Sequence, residues 1–244
     1  MRPLNAAELL MVWERGFNQS PLERALALLA AACPESDVET IAAWTIGQRD
    51  DRLMQLREWM FGPQLTSTAL CPQCGERVEW ESPISDLRRS ADEAPLSTTF
   101  ELSTGGYELR FRLPNSQDVA AVIQQPGEAA LQGLLSRCVL LVRHGDRTCE
   151  IPGLPPAVLA ELAQRMETLD PRADIRIFLT CPQCGHAWSA QFDIGSYLWA
   201  EIEQWAQETL NAVHRLATAY GWSERDILEL SPVRRQLYLG LIHS

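Results

Sequence analysis

"LCPQCGERV" at 70–78 and "TCPQCGHAW" at 180–188 contain the same five residues, Cys-Pro-Gln-Cys-Gly, 110 positions apart. In Cys-x-x-Cys-Gly both sulfurs lie on one side of a tight turn. Each can reach a single metal ion at about 2.3 Å, and the glycine accepts the left-handed backbone that closes the turn. One such corner supplies half a tetrahedron and two complete it. The repeat therefore predicts that Cys71, Cys74, Cys181 and Cys184 converge on one structural Zn²⁺ per chain, as the two knuckles of a zinc ribbon. The intervening chain would be an insertion between the halves. Four thiolates and one Zn²⁺ would take the formal charge of −11 to about −13.

A redox reading of Cys-Pro-x-Cys needs the motif after a strand and at a helix N-terminus. Here strand-like residues follow both copies, so the metal reading is preferred. Four thiolates leave a tetrahedral ion no position for water, which favours a structural over a catalytic role.

Outward from the two corners, alternation marks strands at 77–81 ("RVEWE"), 100–104 ("FELST") and 107–113 ("YELRFRL"), the last two joined by Gly105-Gly106, and predicts a small antiparallel sheet. "ADIRIFL" at 173–179 runs into the second corner and "HAWSAQFDI" at 186–194 runs out of it. An N-cap with an acid three residues later recurs at Asn5/Glu8, Ser20/Glu23, Ser36/Glu39, Asn115/Asp118 and Ser223/Asp226. Helices are expected near 5–15, 21–32, 37–46, 48–60, 116–125, 128–142 and 156–168. Trp199, Ile202, Ala206, Leu210, Val213, Ala217 and Tyr220 step by three or four, which gives one long C-terminal helix stopped by Gly221, with two shorter helices after it.

The expected class is thus α+β and mainly helical. It divides into an N-terminal helical region (1–62), a first knuckle (63–95), an inserted hairpin with helices (96–170), a second knuckle (171–195) and a C-terminal helical region (196–244).

Composition limits the function. With 46% apolar residues and eight Trp among 244, the chain has ample material for a core. A net charge of −11, with basic residues clustered only as the pairs Arg88-Arg89 and Arg234-Arg235, argues against a nucleic-acid partner. Charged residues interrupt the N-terminus before any signal-peptide apolar stretch is complete. No apolar run approaches the roughly 20 residues of a membrane span. Seven cysteines, an odd count, fit a reducing compartment. A cytoplasmic protein without membrane insertion is expected, with incorporation into an assembled particle left open.

Other motifs carry less. "RHGDRT" at 143–148 resembles the phosphate-binding signature of histidine acid phosphatases. No later histidine supplies the partner acid that the chemistry needs, so the stretch reads as a polar helix end and turn. His186 reads as a neighbour of the metal site rather than a ligand. Cys33, Cys138 and Cys149 read as small core residues. Trp199, Trp205, Tyr220 and Trp222 are the candidates for a partner-binding surface on the C-terminal helices.

The last third of the chain resembles the T-even-type baseplate hub assembly chaperone family of contractile phage tails and phage-derived contractile injection systems. The resemblance rests on Cys181-Pro182-x-Cys184-Gly185-His186-x-Trp188, Phe192-Asp193-Ile194, Leu198-Trp199-x-Glu201-Ile202, Val213-His214-x-Leu216-Ala217, Tyr220-Gly221-Trp222-x-Glu224 and Leu230-Ser231-Pro232-x-Arg234-Arg235. "RPLNAAELL" at 2–10 and "ERALALLAAACPE" at 23–35 extend it toward the N-terminus. It implies a non-enzymatic protein of baseplate and hub assembly whose partners are hub, spike or other tail-assembly proteins. The runner-up, from the ribbon alone, is a zinc-ribbon adaptor or regulator outside any injection machine.

Overall fold

The computed structural model describes residues 1–88 and 98–242. The expected segment boundary at 95/96 and Arg89 of the Arg88-Arg89 pair lie outside the described residues. Along the chain run α1 (Ala6–Gly16), α2 (Pro21–Ala32), α3 (Val38–Ala43), α4 (Ile46–Phe61), β1 (Gln64–Leu70), β2 (Arg77–Pro83) and α5 (Ile84–Arg88). They are followed by β3 (Phe100–Thr104), β4 (Tyr107–Phe111), α6 (Ser116–Val122), α7 (Gly127–Cys138), β5 (Val139–His144), β6 (Arg147–Thr148) and α8 (Pro156–Leu169). The chain continues through β7 (Ile175–Thr180), β8 (Ala187–Phe192), α9 (Ile194–Tyr220), α10 (Glu224–Glu229) and α11 (Pro232–Leu241). The result is a mainly helical α+β protein with small antiparallel sheets and a 27-residue C-terminal helix.

Two compact units form, one from residues 1–36 with 194–244 and one from residues 37–193. In the first, α1 and α2 pack on α9. Capping boxes begin both N-terminal helices: Asn5 and Ser20 each accept from the N–H three residues on, and Glu8 and Glu23 accept in return from the cap N–H groups. Leu198, Ile202 and Ala206 of α9 and Leu28 and Leu29 of α2 are buried. Trp199 is only 6% exposed. Its ring occupies the space where a Cβ on Gly16 would lie, and the Arg24 guanidinium stands 4.6 Å from the ring centroid. Further along α9, Val213 and Leu216 form a second cluster with Ile227 of α10, against which Trp222, Tyr238, Leu239 and Ile242 pack.

The continuous unit holds three separate sheets among the described residues: β1–β2, β3–β4–β5–β6 and β7–β8, all antiparallel. Strand 77–83 therefore does not join the strands at 100–111 but pairs with 64–70, which the sequence did not reveal as a strand. β1 turns Leu65, Ser67 and Ala69 inward, and with only one large apolar residue among them the alternation is faint. The expected helix at 128–142 ends at Cys138, and "VLLVRH" pairs with β4 as β5, because its branched residues continue the core of Leu109, Phe111, Leu135 and Leu162. "RHGDRT" is accordingly a β5–β6 strand turn rather than a helix end. The cap of α3 is Asp37, which accepts from the Thr40 N–H, not Ser36. Thr45 and Gln48 form a further capping box at the start of α4.

Polar ties fix the elements of this unit. Asp118, 1% exposed, accepts bonds from the guanidinium groups of Arg112 and Arg137 while capping α6 with Asn115. Burial alone would raise the Asp118 carboxyl. Arg112, the Asn115 N–H and Arg137 outweigh it and hold the group below the usual aspartate range. Asp170, just after α8, accepts from the Gly47 N–H at the start of α4.

Candidate metal centre

Each Cys-Pro-Gln-Cys-Gly stretch forms the end of a two-stranded hairpin. Leu70 faces Arg77 at the last rung of the first, and Thr180 faces Ala187 at the last rung of the second. The backbones of the two turns match. Cys71 N–H donates to the Glu76 carbonyl and Gly75 N–H to the Cys71 carbonyl; Cys181 N–H donates to the His186 carbonyl and Gly185 N–H to the Cys181 carbonyl. Gly75 and Gly185 sit at φ +77° and +72°, where a side chain would be strained.

The two hairpins bring Cys71, Cys74, Cys181 and Cys184 together, with all four Sγ atoms within 4.8 Å of one another. Across the hairpins, Cys71 and Cys184 are 3.7 Å apart and Cys74 and Cys181 3.6 Å apart. A tetrahedral ion with sulfur ligands at about 2.3 Å has an edge of about 3.8 Å, so the donors fit such an ion in number, chemistry and spacing. Cys71 and Cys181 are buried with Val78 and flanked by Trp188, while Cys74 and Cys184 face outward.

The thiols perturb one another. Burial pushes Cys71 up, but N–H groups of Cys74 and Gln73 and the neighbouring thiols more than offset it, leaving Cys71 at about 7. For Cys74 the Glu76 N–H favours the thiolate, yet burial and the three other cysteines outweigh it and the group is pushed up to about 12. Cys184 also moves up, because burial, Cys181 and Cys71 outweigh the His186 N–H and the Cys74 thiol. Cys71 ionises readily while Cys74 and Cys184 resist, a conflict that a bound cation would remove.

His186 is not among the clustered donors; its ring lies parallel to Trp188, with centroids 6.1 Å apart, and its carbonyl serves the second turn. The backbone N–H donors around the sulfurs, from Gln73, Cys74, Glu76 and His186, were not singled out from the sequence, although the repeated motif implies them.

The four aromatic candidates separate. Trp199 is a core residue, because α1 and α2 cover it. Trp205 is half-buried. Tyr220 is exposed and stacks on the half-buried Trp222 at 4.7 Å, and Tyr238 completes a three-ring cluster with both.

Two hairpins carrying four converged thiols define a protein with a ribbon-like four-cysteine cluster. The chain belongs to the family described as T4 bacteriophage base plate protein, which matches residues 4–199. No curated protein and no solved structure matches the chain. Among the described residues no helix is long and apolar enough to cross a membrane.

Proposed function

We propose that this baseplate-family chain is a non-enzymatic, zinc-stabilised protein of baseplate or hub assembly in a contractile phage tail or phage-derived injection system, acting through protein–protein contacts. One Zn²⁺ per chain is held by Cys71, Cys74, Cys181 and Cys184. The observation that carries the metal is the convergence of four sulfurs, at the edge length of a thiolate tetrahedron, from two turns 110 positions apart. Bound there, the ion supplies cross-linking rather than reactivity, since four thiolates leave no place for substrate or water.

The proposed contact to hub or spike components lies on the C-terminal helices. Tyr220 and Trp222 offer stacked rings at the end of α9, an arrangement of the kind that anchors interfaces, with Trp205 half-buried along the same helix. Trp199, although named with these three as a candidate, supports α9 from within.

The test is co-purification of tagged protein with hub and spike components. Tyr220→Ala should keep zinc content and melting temperature near the parent and lose the partner, whereas Trp222→Ala should lose the partner, keep its zinc and melt lower, because Trp222 also packs on the Val213–Leu216–Ile227 cluster. Folded variants that still recover hub components and still yield assembled particles overturn the docking assignment.

A further inference from the structure

The outer face of α11 carries Val233, Leu237 and Leu241, one turn apart and 70%, 65% and 62% exposed. The other face already anchors the helix, with Tyr238 and Leu239 set against Val213, Leu216 and Ile227. The outer stripe is therefore surplus to the packing of its own unit. Gly240 lies on the same face with open space where a Cβ would be, so another backbone can approach closely. Arg234 borders the stripe, exposed, and its guanidinium has no ion pair among the described residues.

The same unit offers a complementary surface. A groove of about 750 Å³ is lined by Asn5 and Ala7 at α1 and by Glu224, Arg225, Leu228 and Glu229 of α10. Ala7 and Leu228 give it apolar ground. Arg225 is spent on Glu229, while Glu224 has no ion pair among the described residues. One surface is an apolar helix edged by an unpaired cation, and the other is an apolar groove edged by an unpaired anion.

We infer that α11 of one copy seats in the α1–α10 groove of a second copy, with the Val233–Leu237–Leu241 stripe over Ala7 and Leu228 and with Arg234 beside Glu224. Because stripe and groove are different patches, seating one helix leaves one stripe and one groove free, and these either meet each other across a two-fold axis or take further copies in a ring or a row. None of these residues belongs to the four-cysteine ribbon or to the Tyr220–Trp222 pair, so the inference stands independently of the metal and of hub docking.

Few side chains meet, so the association is weak in free solution and calls for sedimentation equilibrium on the full chain from about 5 to 500 µM. The average mass should rise with concentration to that of a dimer or beyond. Leu237→Glu, a change at an exposed position, should abolish the rise with an unchanged melting temperature. Glu224→Arg and Arg234→Glu should each weaken association about tenfold, and their combination should restore it to within about twofold of the parent. A parent that stays monomeric throughout, association indifferent to Leu237→Glu, or a double reversal no better than its singles each overturns the inference. Stripe-dependent binding to another tail component with no self-association overturns it equally.

Discussion

The Sγ of Cys71 lies 3.7 Å from that of Cys184, a residue 113 positions further along the chain. Among the described residues no disulfide or strand pairing joins the two turns, and the proposed shared ion would account for their closeness. Protein purified without added metal should contain one zinc per chain by elemental analysis. Zero or two per chain sinks the shared site.

Cys181→Ser removes a buried sulfur from that set and should cost both the ion and the fold of the 37–193 unit. Metal binding of this kind contributes on the order of 10 kcal/mol, comparable to the roughly 5–15 kcal/mol that holds a whole domain. Insolubility or a fall of ten degrees or more in melting temperature is expected, and a strong chelator should reproduce it on the parent. A metal-free variant that melts like the parent would show the ion to be incidental.

Gly16→Ala inverts the ordinary sign of a helix substitution. Alanine in place of a helical glycine usually stabilises by about 0.5–1 kcal/mol. Here the new methyl group overlaps the Trp199 ring, which Arg24 holds from above, so the variant should lose about 1–3 kcal/mol. Trp199→Ala should lose about 3–5 kcal/mol by leaving a cavity. Chemical denaturation at constant zinc measures both. A Gly16→Ala variant more stable than the parent contradicts this packing.

Two buried aspartates should respond to pH with opposite signs. The folded-state pKa of Asp118 is depressed, so its stabilisation is present above the unfolded value of about 3.9 and is lost as pH falls below it. Asp118→Ala should cost about 3 kcal/mol at neutral pH, with the difference from the parent shrinking in acid. Asp50 is raised, chiefly by burial, against the pull of Arg49 and with the push of Asp193 and Asp170. Its charged form therefore opposes folding above its unfolded pKa, and that penalty is relieved as pH falls through the raised folded value. Asp50→Asn should be near neutral or stabilising at pH 7. Urea titrations from about pH 3 to 8 separate the two, and parallel profiles for both variants contradict the assignment.

Much of this architecture was legible because its signals are local. Asn5, Ser20 and Asn115 each fix a helix start within four residues, and the stepped positions from Trp199 to Tyr220 define one helix by period alone. The convergence of the four cysteines was legible for a different reason: the same five residues written twice carry a distance constraint that local pattern cannot. What escaped depended on neighbours far off in sequence. β1 is a strand because β2 lies beside it, and its own inward positions include Ser67 and Ala69. β5 follows directly on α7 within one apolar run, and only the pairing with β4 decides where the helix stops. Trp199 looked available to a partner because nothing in α9 reveals that Gly16 of α1 makes room for its ring.

The unit built from residues 1–36 and 194–244 has a consequence for synthesis on the ribosome. Residues 37–193 form an uninterrupted stretch that can fold while translation continues, whereas α1 and α2, made before it, must wait for α9, made after it. Leu28 and Leu29 of α2 are fully covered in the finished fold, in which α2 packs on both α1 and α9. The helices made before residues 37–193 thus find their place only after them, and they are the segment on which a holding factor would act.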